Sequence, residues 1–419
     1  MNDPAGSCPG VPRRGALMFA AWVGMAGMLA AQTPAAPAGP VLTLGEALTL
    51  AVAANPSITA ARLQRPIDVA NVGVARERLN PEVQYEASKE TPRQAIGATL
   101  PLELGGKRAR RIDLAASTIA VNDADLARVI AAVRNDVRRA YFDAAAATLR
   151  VQIALDVRAL AQRARDAANA RVTAGDVPQS DLTQSDLALA SSENELVAAR
   201  GEADATLAEL NVLIGRPAQT PADLSDALTG GTPVTREQAV ALASQSNTEL
   251  QLIDRRIAEQ TARINLAKAL MAPDVAVSST FTYDAQPEFT YGWRLGLSAT
   301  VPVFTRHRAG VLVEESGLAR LQGERAAAVT RIEGTIVAAL TRAMAARDQM
   351  TRYQTSILPL ALESERQAQA AYSGGQTGLP ALVQALQTAR ETRQRGLQAG
   401  LDYQHAVADL ERAIGASDR

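Results

Sequence analysis

The sequence predicts a mainly α-helical protein with a small β part, built from long coiled-coil hairpins and arranged as an internal twofold repeat. Three observations lead to this class. Most of the 419 residues lie in stretches rich in Ala, Arg, Leu and Glu, as in extended helices. Landmark residues recur at a spacing of about two hundred positions, which indicates a duplication. Between the helical stretches of each half, two short segments alternate apolar and polar residues at period two, as strands do.

The N-terminus has the features of an export signal. Arg13 and Arg14 precede an apolar run from Ala16 to Ala31, and the spacer QTPAAPAGP follows. We expect a signal peptide over residues 1–31, cleaved near Ala30–Gln32, and a Pro/Ala-rich spacer over 32–41. The alternative is an uncleaved anchor helix, although the run is short for a membrane span. The single cysteine, Cys8, precedes the apolar run, so we expect neither lipid attachment nor a disulfide.

The repeat divides the mature chain into two similar halves. LTLGEALTLAVAANP at 42–56 aligns with VTREQAVALASQSNT at 234–248. Near the ends of the halves, Gly175 matches Gly375 and Gly215 matches Gly415, an offset of 200 residues. These matches predict a first structural repeat over 42–215, a linker over 216–233 and a second repeat over 234–415.

Each half begins with a short helix whose start is marked by a capping box. Thr43 and Glu46 form the first box, and Thr235 and Gln238 form the second. The helical stretches stop before the prolines of Asn80-Pro81 and Ala272-Pro273, because the residue before proline disfavours the α conformation. Pro66 is expected to kink the first copy.

Four strands follow, two in each half. In the last one, Trp293, Leu295 and Leu297 share one face while smaller or polar residues share the other, which is typical of a strand in a membrane barrel. Four strands are too few for a known barrel, and open edges cannot lie in lipid, so the barrel must be shared between chains. The predicted strands are Glu82–Ser88, Ala95–Glu103, Asp274–Asp284 and Thr290–Phe304. The aromatics expected at the membrane interface are Tyr85, Phe281, Tyr283, Phe289, Tyr291, Trp293 and Phe304.

A very long helix comes after each strand pair. In the first half, Leu126, Ile130, Val133 and Val137 begin a run of alternating steps of four and three residues that continues to Ala154, which is a coiled-coil seam. The helix is predicted from about 109 to 172 and would be roughly 95 Å long. It breaks at 173–178, a returning helix runs to about 214, and the second half breaks at 373–378.

Basic residues cluster where each long helix begins. Cations at a helix N-terminus oppose the helix dipole, so a partner such as lipid phosphate is a reasonable hypothesis. The alternative is a collar that is merely solvated. The cluster consists of Lys107, Arg108, Arg110 and Arg111 in the first half, and Arg306 and Arg308 in the second.

Several functions are disfavoured by the composition. The formal net charge is -1, which gives no support for nucleic-acid binding. The sequence contains no phosphate loop, nucleophile elbow or zinc motif, and His307 and His405 are isolated. We therefore expect no catalytic residues, no cofactor and no metal site, and we predict that the protein is not an enzyme. A periplasmic coiled-coil scaffold without a pore is one alternative.

The whole mature chain, Leu42 to Gly415, resembles the outer-membrane efflux proteins of TolC type. The resemblance is carried by LTLGEALTLAVAANP, the junctions LPLELGGKRARR and VPVFTRHRAG, ILPLA, and the turn AYSGGQTGLPALVQA. It implies a homotrimer in the outer membrane, with a twelve-stranded β-barrel and a helical tunnel (α-barrel) in the periplasm. It also implies two partners, a periplasmic adaptor and an inner-membrane pump of the resistance–nodulation–division class. The first junction is similar to the branch that exports heavy metals. Drug efflux and type I protein secretion are the alternatives.

The same resemblance places adaptor docking at the two helix turns. The expected docking residues are Gly175, Val177, Gln179, Ser180, Asp181, Leu182, Gly375, Leu379 and Leu382. Many relatives close the periplasmic mouth with acidic residues in the second turn, where this chain has Ala381 and Gln384. Asp176 and Asp181 of the first turn could substitute, so Asp176, Asp181 and Gln384 are the candidate gate.

Overall fold

The structure of the protein is a computed structural model that describes residues 41–226, 228, 230 and 235–415. The predicted signal peptide over 1–31 lies outside the described residues. So do most of the predicted spacer and positions 227, 229 and 231–233 of the predicted linker.

The first half contains five helices and four strands. Two strands are only two residues long and pair with each other in parallel, Val41 with Asp223 and Leu42 with Leu224. The elements in chain order are β1 (Val41–Leu42), α1 (Leu44–Ala54), α2 (Pro56–Arg62), α3 (Gln64–Arg76), β2 (Glu82–Ala87), β3 (Gln94–Leu102), α4 (Lys107–Thr173), α5 (Gln179–Leu213) and β4 (Asp223–Leu224).

The second half continues with α6 (Arg236–Ser246), α7 (Thr248–Ala269), β5 (Asp274–Ala285), β6 (Phe289–Thr300), α8 (Arg308–Arg352), a π-helical turn (Tyr353–Ile357), α9 (Leu358–Ser373) and α10 (Leu379–Ile414). α4 has 67 residues, so it is about 100 Å long. The prediction of a mainly helical chain with long helices and four strands that pair in one sheet is confirmed.

The main sheet joins the two halves. Its order is β2-β3-β5-β6, and every neighbouring pair is antiparallel. The link between the halves is the β3–β5 pair, in which Ile96 lies opposite Phe281. β2 and β6 are the two edges of the sheet in the described chain.

The helices form a layer in which α4 is central. α4 packs against α3, α5, α7 and α10, and α7 in turn lies between α4 and α8. One core surrounds Tyr141, which is fully buried and whose hydroxyl donates to Leu42 O at 2.9 Å. A second core surrounds Ile336 on α8 and includes Leu250 of α7 and Leu410 of α10. Apolar burial between long helices, more than helix propensity, stabilises these elements.

Two asparagines anchor the short helices to the ends of the return helices. Asn55 caps α2 by accepting from the backbone N–H of Ser57, and its amide donates to Leu213 O at 2.8 Å. Asn247 caps α7, and its amide donates to Ala413 O at 2.9 Å. The backbone comes so close here that a Cβ on Gly215 would lie 2.6 Å from Ala54 Cβ.

Most predicted element ends agree with the structure within two residues, and three larger differences have a physical cause. The last strand ends at Thr300 instead of Phe304, since Pro302 cannot donate to a ladder and the chain turns, with Val303 N–H donating to Val301 O at 2.9 Å. The second long helix contains a π-helical turn just before Pro359, where the missing N–H and the proline ring disturb the α ladder. The predicted linker contains β4, and the amide of Asn211 donates to Thr220 O at 2.8 Å.

Candidate functional site

The four-stranded sheet has one apolar face and one polar face. The pairing register places Tyr85, Ile96, Phe281 and Trp293 in one row across the strands, and directly paired residues share a face. The other rows of this face contain Val83, Ala98, Leu100, Val277, Leu295 and Leu297, together with Tyr283 and Tyr291. Leu297 is 75 % exposed although it is fully apolar. An exposed surface of this composition suits lipid and not water.

The length of the strands also suits a bilayer. β5 and β6 each have 12 residues. At about 3.3 Å per residue and a tilt of about 40°, such a strand crosses about 30 Å, the thickness of the hydrocarbon core.

The predicted interface aromatics lie at both ends of the sheet. Phe281 stacks on Tyr283 and Tyr291, with ring centroids 6.5 and 6.4 Å apart. Tyr85, Phe289 and Trp293 belong to the same end of the strands, near the β5–β6 turn. Phe304 lies beyond the last strand at the opposite end and is 99 % exposed.

The basic cluster of the first half is bound to the protein itself, which corrects the lipid-phosphate hypothesis for most of its members. Lys107 is buried, and its Nζ lies 2.5 Å from Asp274 Oδ1. Arg111 forms an ion pair with Glu103, and Arg108 Nε donates to Arg76 O at 2.7 Å. Two carboxylates therefore neutralise Lys107 and Arg111, and a backbone carbonyl of α3 accepts a hydrogen bond from Arg108.

The remaining basic residues are more exposed. Arg110 pairs with Asp113 at 3.1 Å, and Arg306 Nε donates to Val303 O at 3.1 Å. Arg308 is exposed at the start of α8. The residue just before Arg308, His307, has a left-handed backbone with a φ of 51°. Gly106 has the equivalent position before α4 and is also left-handed, with a φ of 72°.

The two helix turns at the far end of the long helices share one geometry. Gly175 has a φ of 80° and Gly375 a φ of 71°. In the first turn Asp176 N–H donates to Arg171 O at 3.0 Å, and in the second Gln376 N–H donates to Ala371 O at 2.8 Å. This is the Schellman arrangement of a helix C-terminus, which requires a left-handed residue.

The turns lie next to each other. The Arg171 guanidinium sits over the ring of Tyr372, 5.2 Å from its centroid. Tyr372 is buried with Leu379 and Leu382 in a small core that also contains Ala164 and Ala167 of α4. The sequence did not predict that Arg171 and Tyr372 connect the two turns. A cation–π contact between residues so far apart in the chain leaves no local sequence pattern.

The burial of the predicted docking residues is uneven. Leu379 and Leu382 are only 1 % and 3 % exposed, so their proposed packing against a partner is wrong for the chain as it is folded. Gln179 and Ser180 are exposed, and Val177, Asp181 and Leu182 are half-buried. Of the candidate gate residues, Asp176 and Gln384 are exposed.

A groove of about 490 Å³ runs beside the turns between α5 and α10, with α4 behind it. Its walls combine apolar side chains with two ion pairs. Arg390 pairs with Glu195 at 2.5 Å, and Arg393 pairs with the buried Glu365 at 2.7 Å. Gln384 of the predicted gate lines this groove as well. The sequence did not reveal the groove, since it depends on how α5 and α10 are spaced by α4.

Titratable groups elsewhere have structural roles. Burial raises the pKa of the Tyr141 phenol, which hydrogen-bonds Asp226 at 2.9 Å. Burial also raises the pKa of Glu411, against the opposing charge of its partner Arg138. His405 Nε2 lies 3.0 Å from Asp143 Oδ1, between α10 and α4.

Among the side chains that the structure describes, no three of His, Cys, Asp or Glu are grouped closely enough to hold a metal ion. No helix in the described part of the chain is both long enough and apolar enough to span a membrane.

Comparison with known proteins agrees with this architecture. Residues 47–216 match the family model described as outer membrane efflux protein. The chain is 25% identical over 389 residues to the cobalt-zinc-cadmium resistance protein CzcC of Cupriavidus metallidurans, covering 91% of this chain and 92% of that protein.

Two solved structures share the fold. The outer-membrane channel OprN superposes with a TM-score of 0.72 at 17% identity, covering 89% of both chains. CusC superposes with a TM-score of 0.73 at 16% identity, covering 89% of this chain and 92% of that one. The long helices, the amphipathic sheet and these matches together exclude the scaffold without a pore. Residues 47–216 match the outer membrane efflux protein family, and together with the similarity over most of the chain this match identifies an efflux channel of the outer membrane, of TolC type, and not an enzyme.

Proposed function

We propose that three copies of the chain assemble into one channel, with a twelve-stranded barrel in the outer membrane and a helical tunnel in the periplasm. The observation that carries this proposal is the amphipathic sheet with two open edges, β2 and β6. Unpaired backbone groups cannot lie in lipid, so each edge must pair with another chain. Three chains give twelve strands, which lies within the known range for closed barrels. The recurring asparagine anchors at Asn55 and Asn247 support the twofold repeat within each chain.

We propose that the cargo is divalent heavy-metal cations. The support is the similarity to CzcC, whose name assigns it to cobalt, zinc and cadmium resistance and which aligns with 91% of this chain. A conduit of this kind need not bind its cargo tightly, because conduction requires weak sites that release ions. The channel would work passively, with a resistance–nodulation–division pump in the inner membrane and a periplasmic adaptor delivering the ions.

The cargo proposal is tested by deleting the gene in its host and restoring it on a plasmid. We expect the deletion to lower tolerance to cobalt, zinc and cadmium salts and the plasmid to restore it. Tolerance to hydrophobic drugs serves as the control and should not change. Loss of drug tolerance alone would assign the channel to drug efflux instead.

We propose that the adaptor docks on the exposed side of the two turns. The exposed Gln179 and Ser180 and the half-buried Asp181 provide polar contacts beside Gly175 in the first turn. In the second turn Ala381 is exposed, in contrast to the buried Leu379 and Leu382. A partner would therefore contact mainly polar and small side chains here. The two buried leucines would pack beneath this surface and fix its conformation.

The docking proposal is tested with Ser180→Arg and Ala381→Arg. Both side chains are exposed, so the variants should form trimers in the outer membrane but lose adaptor binding and metal export. Ala205→Arg is the matched control, an exposed alanine on α5 about 37 Å along the helix from Ser180. If the two turn variants bind the adaptor and export like the control, docking occurs elsewhere on the tunnel.

A further inference from the structure

The polar face of the sheet is lined mainly by small side chains. One row across the strands contains Gln84, Gly97, Thr280 and Arg294. The neighbouring rows on this face add Glu82, Glu86, Ala95, Thr99, Ala276, Ser278, Thr282, Gly292, Gly296 and Ser298. Long side chains on this face are therefore rare, and most of them are charged.

The charges on this face are few and mostly unpaired. Among the described side chains of the four strands, the polar face has three carboxylates, Glu82, Glu86 and Asp274, and one guanidinium, Arg294. Asp274 is neutralised by Lys107 at 2.5 Å. Glu82, Glu86 and Arg294 have no ion-pair partner within the described residues, and all three are exposed. The unpaired charge of the described side chains on this face is thus two negative and one positive per chain.

The dimensions of the proposed barrel make these charges effective across its lumen. Twelve strands spaced about 4.8 Å apart and tilted by about 40° enclose a backbone radius of about 12 Å. Charged side chains about 5–6 Å long would reach roughly halfway to the axis. The remaining distance is shorter than the Debye length of about 10 Å at 0.1 M salt, so an ion on the axis experiences their charge.

We propose that Glu82, Glu86 and Arg294 set the ion selectivity of the strand lumen and make it prefer cations. The inference rests on the proposed trimeric barrel and deepens it by naming the residues that determine which ions pass. With two unpaired carboxylates and one unpaired guanidinium from each chain, the described side chains of the polar face give the lumen a net negative charge. Rings of carboxylates favour cations in pores, and the Arg294 ring weakens this preference.

The test measures the reversal potential of the purified full-length channel in planar lipid bilayers under a potassium chloride gradient. The double variant E82Q/E86Q leaves Arg294 as the unpaired charge among the described side chains of the polar face, so the ratio of potassium to chloride permeability should fall by about fivefold or more at 0.1 M salt. R294Q should raise the same ratio. The control L297V changes the apolar face of the same sheet and should leave the ratio unchanged.

The outcomes separate the inference from the function on which it rests. Channels that conduct but keep the wild-type permeability ratio in both E82Q/E86Q and R294Q would overturn the selectivity inference alone. A wild-type protein that inserts but never conducts would overturn the trimeric pore, and the selectivity inference with it. Native mass spectrometry of each variant establishes that the trimer being compared is intact.

Discussion

Replacing Leu295 by arginine tests which face of the sheet meets lipid. Leu295 is the seventh of the 12 residues of β6, so it lies near the middle of the strand. It pairs with Ser279 on the apolar face and is 62 % exposed in the isolated chain. An arginine facing lipid at the bilayer midplane costs about 2–4 kcal/mol. Three chains would bring the cost to about 6–12 kcal/mol per trimer, which is comparable to the whole stability of many folded proteins.

The matched control is Ser298→Arg in the same strand. Ser298 pairs with Ala276 on the polar face, where the new charge would remain in water. The assay is refolding of each variant into lipid vesicles, followed by urea titration and by measuring the trimer in the outer membrane of cells. We expect Leu295→Arg to abolish insertion and Ser298→Arg to insert nearly as the wild type does. Equal behaviour of the two variants would refute the assignment of the faces.

Two further predictions concern stability. Gly215→Ala should destabilise the protein by about 3 kcal/mol or more, because its φ is 74° and the new Cβ would lie 2.7 Å from Ala54 O. Gly175 has a φ of 80° and open space where a Cβ would lie, so Gly175→Ala should lower the free energy of unfolding by only about 1 kcal/mol. Thermal or urea denaturation measures both variants, and equal losses would disprove the close approach of Gly215 to Ala54. The raised pKa of Glu411 contributes stability that is complete below its ordinary value of 4.5 and is lost as pH rises through the folded pKa. Glu411→Gln should therefore gain melting temperature relative to the wild type between pH 4 and pH 7, and a constant difference would contradict the burial argument.

The sequence predicted best those features that depend on local geometry. Both capping boxes form, with the Thr43 hydroxyl accepting from Glu46 N–H and the Thr235 hydroxyl accepting from Gln238 N–H. The alternation in the last strand placed Trp293 on the correct face because strand geometry allows only two faces.

Features that depend on distant segments could not be predicted. From the sequence, Lys107 would be expected at the surface as one member of a basic cluster. Its burial could not be predicted because Asp274, which neutralises it, is 167 residues away. Leu379 follows a helix turn and would be expected at the surface, yet Tyr372 and α4 bury it. The pairing of β3 with β5 likewise has no local signal, since either strand offers the same alternation to any neighbour.

The asparagine anchors have a consequence for how the protein folds. Asn55 contacts a carbonyl 158 residues later, and Asn247 contacts one 166 residues later. Contacts between residues so distant in sequence raise the contact order, and loop closure over such lengths slows folding. The first helices of each half thus acquire their final hydrogen bonds only when the last turn of the corresponding return helix has folded against them. A chain truncated before Ala413 would leave the amide of Asn247 without its acceptor, so the second half can close only when its return helix is complete to that residue.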